Sequence, residues 1–328
     1  MNNKHLPKPE LLLKIIRGNT IESLHYGWIC VLNKDKKVTY KKGNIYDYAY
    51  LRSVAKPIQA ISIIENKIKI TDPELAIVCA SHSGSEKHLK LLKSILRKHS
   101  VSLSDLKCGI HWPSDEKERK KLIRAHKAPM VLHNNCSGKH MGMLAVCKKN
   151  NWDLKTYLNI SHPLQKLILS KMKDLSETKK IFTAIDGCSA PTFALPIINI
   201  AKMFSNFTNL ENPENKKYSR IISAMKENPY IIGGGNQIDS EIIKTSKGNL
   251  ISKVGAEGIL VAAHNGNVAL IKIADGSQRA RSIVMVRLLI KLNWLKESDI
   301  KNSNLKEIYN LEIKNLCGKI VGEVKILD

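Results

Sequence analysis

The stretch GILVAAHNGNVALIKIAD, residues 258–275, decides the fold. Two apolar runs are separated by Asn265 and Gly266, the pair that most readily supplies the two positive φ angles of a type I′ turn, so the segment reads as an antiparallel β-hairpin. Toward the C-terminus a long helix over 279–295 follows, and GKIVGEVKIL, residues 318–327, closes the chain with another strand. Toward the N-terminus, residues 21–33 alternate around Tyr26, Trp28 and Cys30, and Asp35-Lys36 turns the chain into a second strand at 37–40. Helical patterns fill the middle. Ser85 caps EKHLKLLKSILRKH, whose Leu89, Leu92 and Leu96 share a face; His162-Pro163 opens a second helix and Pro196 a third. Strands at both ends and helices between them predict an α+β fold, with a central antiparallel sheet flanked by helices and the middle helices inserted as a lobe. The expected division is one domain over 1–328, made of an α/β lobe (about 1–70 and 245–328) and a mainly helical lobe (about 71–244).

The chain has 328 residues and 43% hydrophobic content, enough for a sizeable core. No run approaches the length of a membrane span, and MNNKHLPKPE leads into LLLKIIRGN rather than a long apolar leader, so a cytoplasmic protein without membrane contact is expected. Seven cysteines, an odd number scattered through the chain, do not form a disulfide framework and read as reduced thiols. The formal charge of +24 invites a nucleic-acid reading. The lysines are spread throughout, aromatics are only 5%, and no zinc-finger or RNP-type signature is present, so no nucleic-acid partner is expected. The charge reads as a solvated surface that draws in anions.

Five stretches carry chemistry. In LRSVAKPIQA, residues 51–60, Ser53 and Lys56 stand three apart, which on a helix places an amine beside a hydroxyl that needs a base; the alternative is a polar helix start with a solvated lysine. CASHSGS, residues 79–85, offers Ser81, His82 and backbone N–H groups, or only a serine-rich turn. NNCSGKHMGM, residues 134–143, puts Lys139 and His140 in the first turn of an apolar helix, where positive charge opposes the helix dipole. DGCSAP, residues 186–191, adds Asp186 and Cys188. Cys136 and Cys188 could serve one zinc ion as thiolates, with His140 or Lys139 as the nitrogen donor; with no CxxC spacing, buried structural thiols remain the alternative. In SKVGAEG, residues 252–258, Lys253 and Gly255 on an expected sheet edge have the lysine-x-glycine form of the third motif of serine penicillin-recognising enzymes, which makes a second pair, Ser81 with Lys253, conceivable.

Together, LRSVAKP, CASHSG, NNCSGKHMGML, DGCSAPTFALP and KVGAEG, in this order, resemble the Rhizobium-type L-asparaginases, the asparaginase II family, from about residue 15 to the C-terminus. The resemblance implies a fold similar to serine β-lactamases and glutaminases, and hydrolysis of L-asparagine to L-aspartate and ammonia. It implies Ser53 as nucleophile with Lys56 as its base, and Ser81 with Lys253 as a second Ser-Lys tandem. It further implies zinc (Zn2+) held by Cys136, Lys139 and Cys188, substrate-orienting roles for Arg52, His140 and Asp186, and a homodimer. Val54 departs from the small residue common between that serine and lysine. The rival readings are a glutaminase or other serine amidohydrolase on the same scaffold and, from another class, a basic binding protein without catalysis.

Overall fold

A computed structural model describes residues 6–235 and 237–327; the N-terminal residues 1–5 used in the localisation reading lie outside the described residues. The hairpin at 258–275 is built by β8 (Ile259–His264) and β9 (Asn267–Ile273), joined through Asn265 (φ 45°) and Gly266 (φ 81°). Around it lie β1 (Glu10–Arg17), β2 (Thr20–Leu32), β3 (Val38–Lys42), β7 (Ile251–Val254), β10 (Glu312–Lys314) and β11 (Ile320–Ile326). The order across this antiparallel sheet is β10-β11-β1-β2-β9-β8-β7, with β3 also paired to β2. Strands from the two ends of the chain therefore share one sheet, and β7, which carries Lys253, is an edge.

Both faces of the sheet are buried at its centre, along the second half of β2 and along β8 and β9. β2 sends Trp28, Cys30 and Leu32 into one core and Ile29 and Val31 into the other; β9 does the same with Val268 and Leu270 against Ala269, Ile271 and Ile273. A strand covered on both sides has no solvent face on which to place polar residues, and the hairpin accordingly reads as two nearly continuous apolar runs. The middle helices, led by Ile197–Thr208, cover one face, and Gln278–Lys291 covers the other with Val284, Met285 and Leu288.

A second antiparallel sheet has β4 (Tyr48–Tyr50), β6 (Pro191–Pro196) and β5 (Phe182–Ile185) in the order β4-β6-β5. It positions two of the motifs. The turn carrying Arg52 and Ser53 follows β4, anchored where the Leu51 N–H donates to Phe193 O at 2.9 Å, and the 186–190 turn joins β5 to β6. Strands β1, β4, β6 and β10 were not expected from the sequence, and the helix expected over 279–295 stops at Lys291. Asn293 adopts φ 58°, a left-handed conformation that ends a helix.

Candidate active site

The turn after β4 is a 3-10 helix, Arg52–Ala55, entered through Arg52 at φ 47° and followed by the short helix Lys56–Gln59 with Pro57 in its first turn. This geometry drives the Lys56 side chain inward, where it is 1% exposed. Its Nζ donates to Ala80 O at 2.7 Å, Ser81 Oγ at 3.0 Å and Asn135 O at 3.1 Å. Three oxygens thus surround the amine. Lys253, fully buried on β7, approaches from the opposite side. Its Nζ donates to Ser81 Oγ at 3.0 Å, Asp239 Oδ2 at 3.1 Å and Val254 O at 2.9 Å. Ser81 Oγ thus lies between two amines, and its own N–H is fixed on Ile232 O at 2.9 Å.

Gly255 explains the lysine-x-glycine spacing. A Cβ there would sit 2.5 Å from Ile259 Cγ2 and 3.0 Å from Leu51 O, so only glycine lets the end of β7 lie against the turn that presents Ser53. Ser53 is not hydrogen-bonded to the Lys56 amine. Among the described residues its hydroxyl makes no hydrogen bond, and the Lys56 amine is committed to Ser81 and two carbonyls. Residues at i and i+3 are neighbours on the helix, yet two buried carbonyls and a hydroxyl outcompete the adjacent serine for the amine.

The second cluster adjoins the first through Lys56. Asn134 pins the NNCSG turn, donating from Nδ2 to Cys108 O at 2.8 Å and accepting from the Cys136 N–H at 2.8 Å. The helix Ser137–Lys149 then directs the Lys139 amine to Cys188 Sγ at 3.0 Å. Cys136 and Cys188 share a hydrogen bond that pulls the Cys136 thiol well below its usual range, with the Lys56 and Lys139 charges overcoming burial. The same bond, with burial, pushes Cys188 up. Burial alone would lower Lys139, but the two sulfurs raise it above its ordinary value. The cluster therefore gathers two sulfurs and an amine, and the Cys136 Sγ also lies 3.2 Å from Asn135 Oδ1.

Arg52 Nε donates to Asp186 Oδ1 at 2.7 Å. Burial works against the Asp186 carboxylate, and the Arg52 bond with the nearby Lys139 charge outweighs it, leaving the group below its usual range. His140 faces elsewhere: its Nδ1 and the Tyr157 hydroxyl are hydrogen-bonded at 2.6 Å, and burial holds its pKa well below the ordinary value. His82 is a support for the neighbouring turn, with Nδ1 accepting from the Gly84 N–H at 3.2 Å and Nε2 donating to Ser137 Oγ at 2.9 Å. Among the described residues no group of three or more His, Cys, Asp and Glu side chains is gathered as a metal site. The set expected for zinc supplies two thiols and an amine.

The structure thus brings together Lys56, Ser81 and Lys253; Cys136, Lys139 and Cys188; and Arg52 with Asp186. Sequence reasoning missed Asp239, which holds Lys253. Its one signal was the glycine run 233–235 just upstream, the mark of a close backbone approach.

A family model described as L-asparaginase II matches residues 13–326. The chain belongs to the L-asparaginase II family. A comparison with curated proteins finds no match. Among solved structures, one described as "Crystal structure of Mglu in its native form in the presence of 4.3M NaCl" is 12% identical, covers 82% of this chain and 60% of that chain, and has a TM-score of 0.36. This asparaginase II chain spans 60% of that structure's length, and a likeness at that level carries no argument about fold or mechanism.

Proposed function

We propose that this chain hydrolyses the side-chain amide of L-asparagine to L-aspartate and ammonia through a lysine-activated serine. The observation that supports it most directly is the position of Ser81 Oγ, 3.0 Å from both Lys56 Nζ and Lys253 Nζ, since it joins motifs from three distant parts of the chain in one buried cluster. A hydroxyl is a poor nucleophile until an amine takes its proton, and a buried lysine can be that amine.

In the first reading Ser53 Oγ attacks the amide carbon, forming a C–O bond while Lys56, as the free amine, accepts the hydroxyl proton. The C–N bond then breaks, and nitrogen leaves as ammonia with the proton held by the lysine. Water next attacks the acyl ester, the amine takes one water proton, and the ester oxygen recovers it as aspartate departs. Ser81 and Lys253 extend the proton path from Lys56. A second reading makes Ser81 the attacking oxygen, favoured by its contact with both amines. The two-step chemistry is the same.

Zinc is proposed at Cys136, Lys139 and Cys188, whose donors already meet in one buried cluster; when bound it would supply a Lewis-acidic centre that positions substrate. Zinc takes cysteine as thiolate and lysine as the neutral amine, so binding releases protons and affinity should weaken as pH falls. The β-lactamase-like reading of the fold and the homodimer are proposals of the same standing.

Ammonia release from L-asparagine and from L-glutamine, with and without added zinc, tests the function. Turnover of asparagine above glutamine supports it. Folded protein that releases ammonia from neither amide, or that binds an oligonucleotide in a salt-sensitive way without catalysis, overturns it.

A further inference from the structure

Lys253 is held from two sides, and only one of them belongs to the expected motifs. On the other side is Asp239, in the first turn of the helix Ile238–Thr245 and fully buried. Its Oδ2 accepts from Lys253 Nζ at 3.1 Å and from the Val254 N–H at 3.2 Å, while Oδ1 accepts from the Ser240 N–H at 3.0 Å. Both oxygens are anchored by backbone, so the carboxylate cannot turn away from the amine. The approach of this segment depends on Gly234, at φ 101°, where a Cβ would sit 2.3 Å from Ser83 Oγ. The same segment gives Ile232 O to the Ser81 N–H. One short stretch thus fixes both the serine and the lysine.

We infer that Asp239 is a positioning residue of this site: its carboxylate fixes the Lys253 amine against Ser81 Oγ and controls when that amine can accept a proton. The inference rests on the proposed reading of Ser81 and Lys253 as part of the reaction machinery. Around the amine stand Asp239 from its helix, Lys56 across Ser81, Cys136 from the NNCSG turn and Cys79 from the helix Asp72–Cys79. Arg281, on Gln278–Lys291, donates to Gly255 O at 3.3 Å and lies in the field of Asp239. Burial dominates and brings Lys253 down to about 8; Asp239 opposes it and Lys56 assists it. Without the carboxylate the ammonium loses its main electrostatic support, so the amine should become neutral at lower pH.

The test is kcat for L-asparagine across the pH range in the wild type, Asp239→Asn and Asp239→Glu, with Ser81→Ala and Lys253→Met alongside. In Asp239→Asn the acid limb should move down by at least about one pH unit, since one unit corresponds to about 1.4 kcal/mol of lost charge interaction. The plateau should fall about tenfold to a hundredfold, and Asp239→Glu should recover most of it. An unchanged limb and plateau in folded Asp239→Asn, with kcat in Ser81→Ala and Lys253→Met lowered at least about a hundredfold, overturns the inference. Full activity in those two variants instead overturns the reading beneath it. Should Asp239→Asn not fold, Lys253→Met is compared with the double variant Asp239→Asn/Lys253→Met, which removes both charges. Equal kcat within about twofold fits a residue acting only through Lys253, and a further tenfold loss overturns that role.

Discussion

Two serines were candidates for one role, and the fold treats them differently. Ser53 stands three residues from Lys56, yet its hydroxyl makes no hydrogen bond among the described residues; Ser81 is 25 positions away and receives that amine at 3.0 Å. Ser81 also receives Lys253, 172 positions away. Sequence proximity supplied the residue types, and tertiary packing chose the contacts. The difference separates two properties that Ser-Lys catalysis usually combines: a hydroxyl with room to meet substrate, and a hydroxyl with a base already in place. Ser53 is part-exposed and unbonded, and Ser81 is engaged from both sides.

The sharpest way to break this comparison is to remove each oxygen in turn. If Ser53 attacks and Ser81 passes protons, Ser53→Ala should lose at least about 10⁴-fold in kcat, and Ser81→Ala about 10²- to 10³-fold. Acid quench during turnover, followed by peptide mass spectrometry, locates the acyl group. An acyl group on the peptide containing Ser81 would exchange the two roles.

A smaller effect sharpens the role of the amines. With Lys253 near 8, its neutral form is about 1% of the total at pH 6 and half at pH 8, so a reaction that needs the free amine should run about fiftyfold slower at the lower pH. The sign is fixed: a base with a depressed pKa gains activity as pH rises through that value. A flat profile between pH 6 and pH 8 would show that no such amine titrates in the rate-limiting step.

Next in size is removal of the metal. Chelation should raise KM about tenfold and lower kcat less, because the thiol cluster lies beside the Ser-Lys cluster, acting on Lys56 and Lys253 through charge, and holds neither serine. Cys188→Ser should reproduce the change and resist rescue by zinc. An unaltered KM in metal-free protein would remove the positioning role.

What was legible in the sequence follows the same division between local and distant causes. The Asn265-Gly266 hairpin, the Ser85, His162 and Pro196 helix starts and the edge position of Lys253 came from signals carried within a few residues. β1 escaped notice because Lys14 and Arg17 interrupt its apolar run, although Leu12, Leu13 and Ile15 are buried. Asp239 escaped for a deeper reason: a buried ion pair leaves no periodicity or spacing, and the partner of Lys253 exists only once β7 and the helix Ile238–Thr245 are packed together. The capture of Lys56 by Ala80 O and Asn135 O is of the same kind, since no pattern in residues 51–60 refers to those carbonyls.

The smallest predicted effect tests whether the two serines depend on their spacing. Gly255 connects their surroundings, in the chain two residues after Lys253 and in space against the turn bearing Ser53. Gly255→Ala would place a methyl group 2.5 Å from Ile259 Cγ2, 3.0 Å from Leu51 O and 3.2 Å from Val54 Cγ2. Ile259 is held in the β8 ladder and Leu51 is tied to Phe193 O, so neither yields easily, and the strain should cost about 1–3 kcal/mol of stability in denaturant melts. The turn bearing Ser53 is the softer partner, because it is a single 3-10 turn entered through a strained Arg52. It should shift away from β7 while Ser81 stays clamped between its two amines. Activity should therefore fall a few-fold, with the acid limb of the pH profile unmoved, since the surroundings of Lys253 are kept. A limb that shifted with the rate would mean that the Ser53 turn and the Lys253 amine move as one body, and the separation of the two serines would no longer hold.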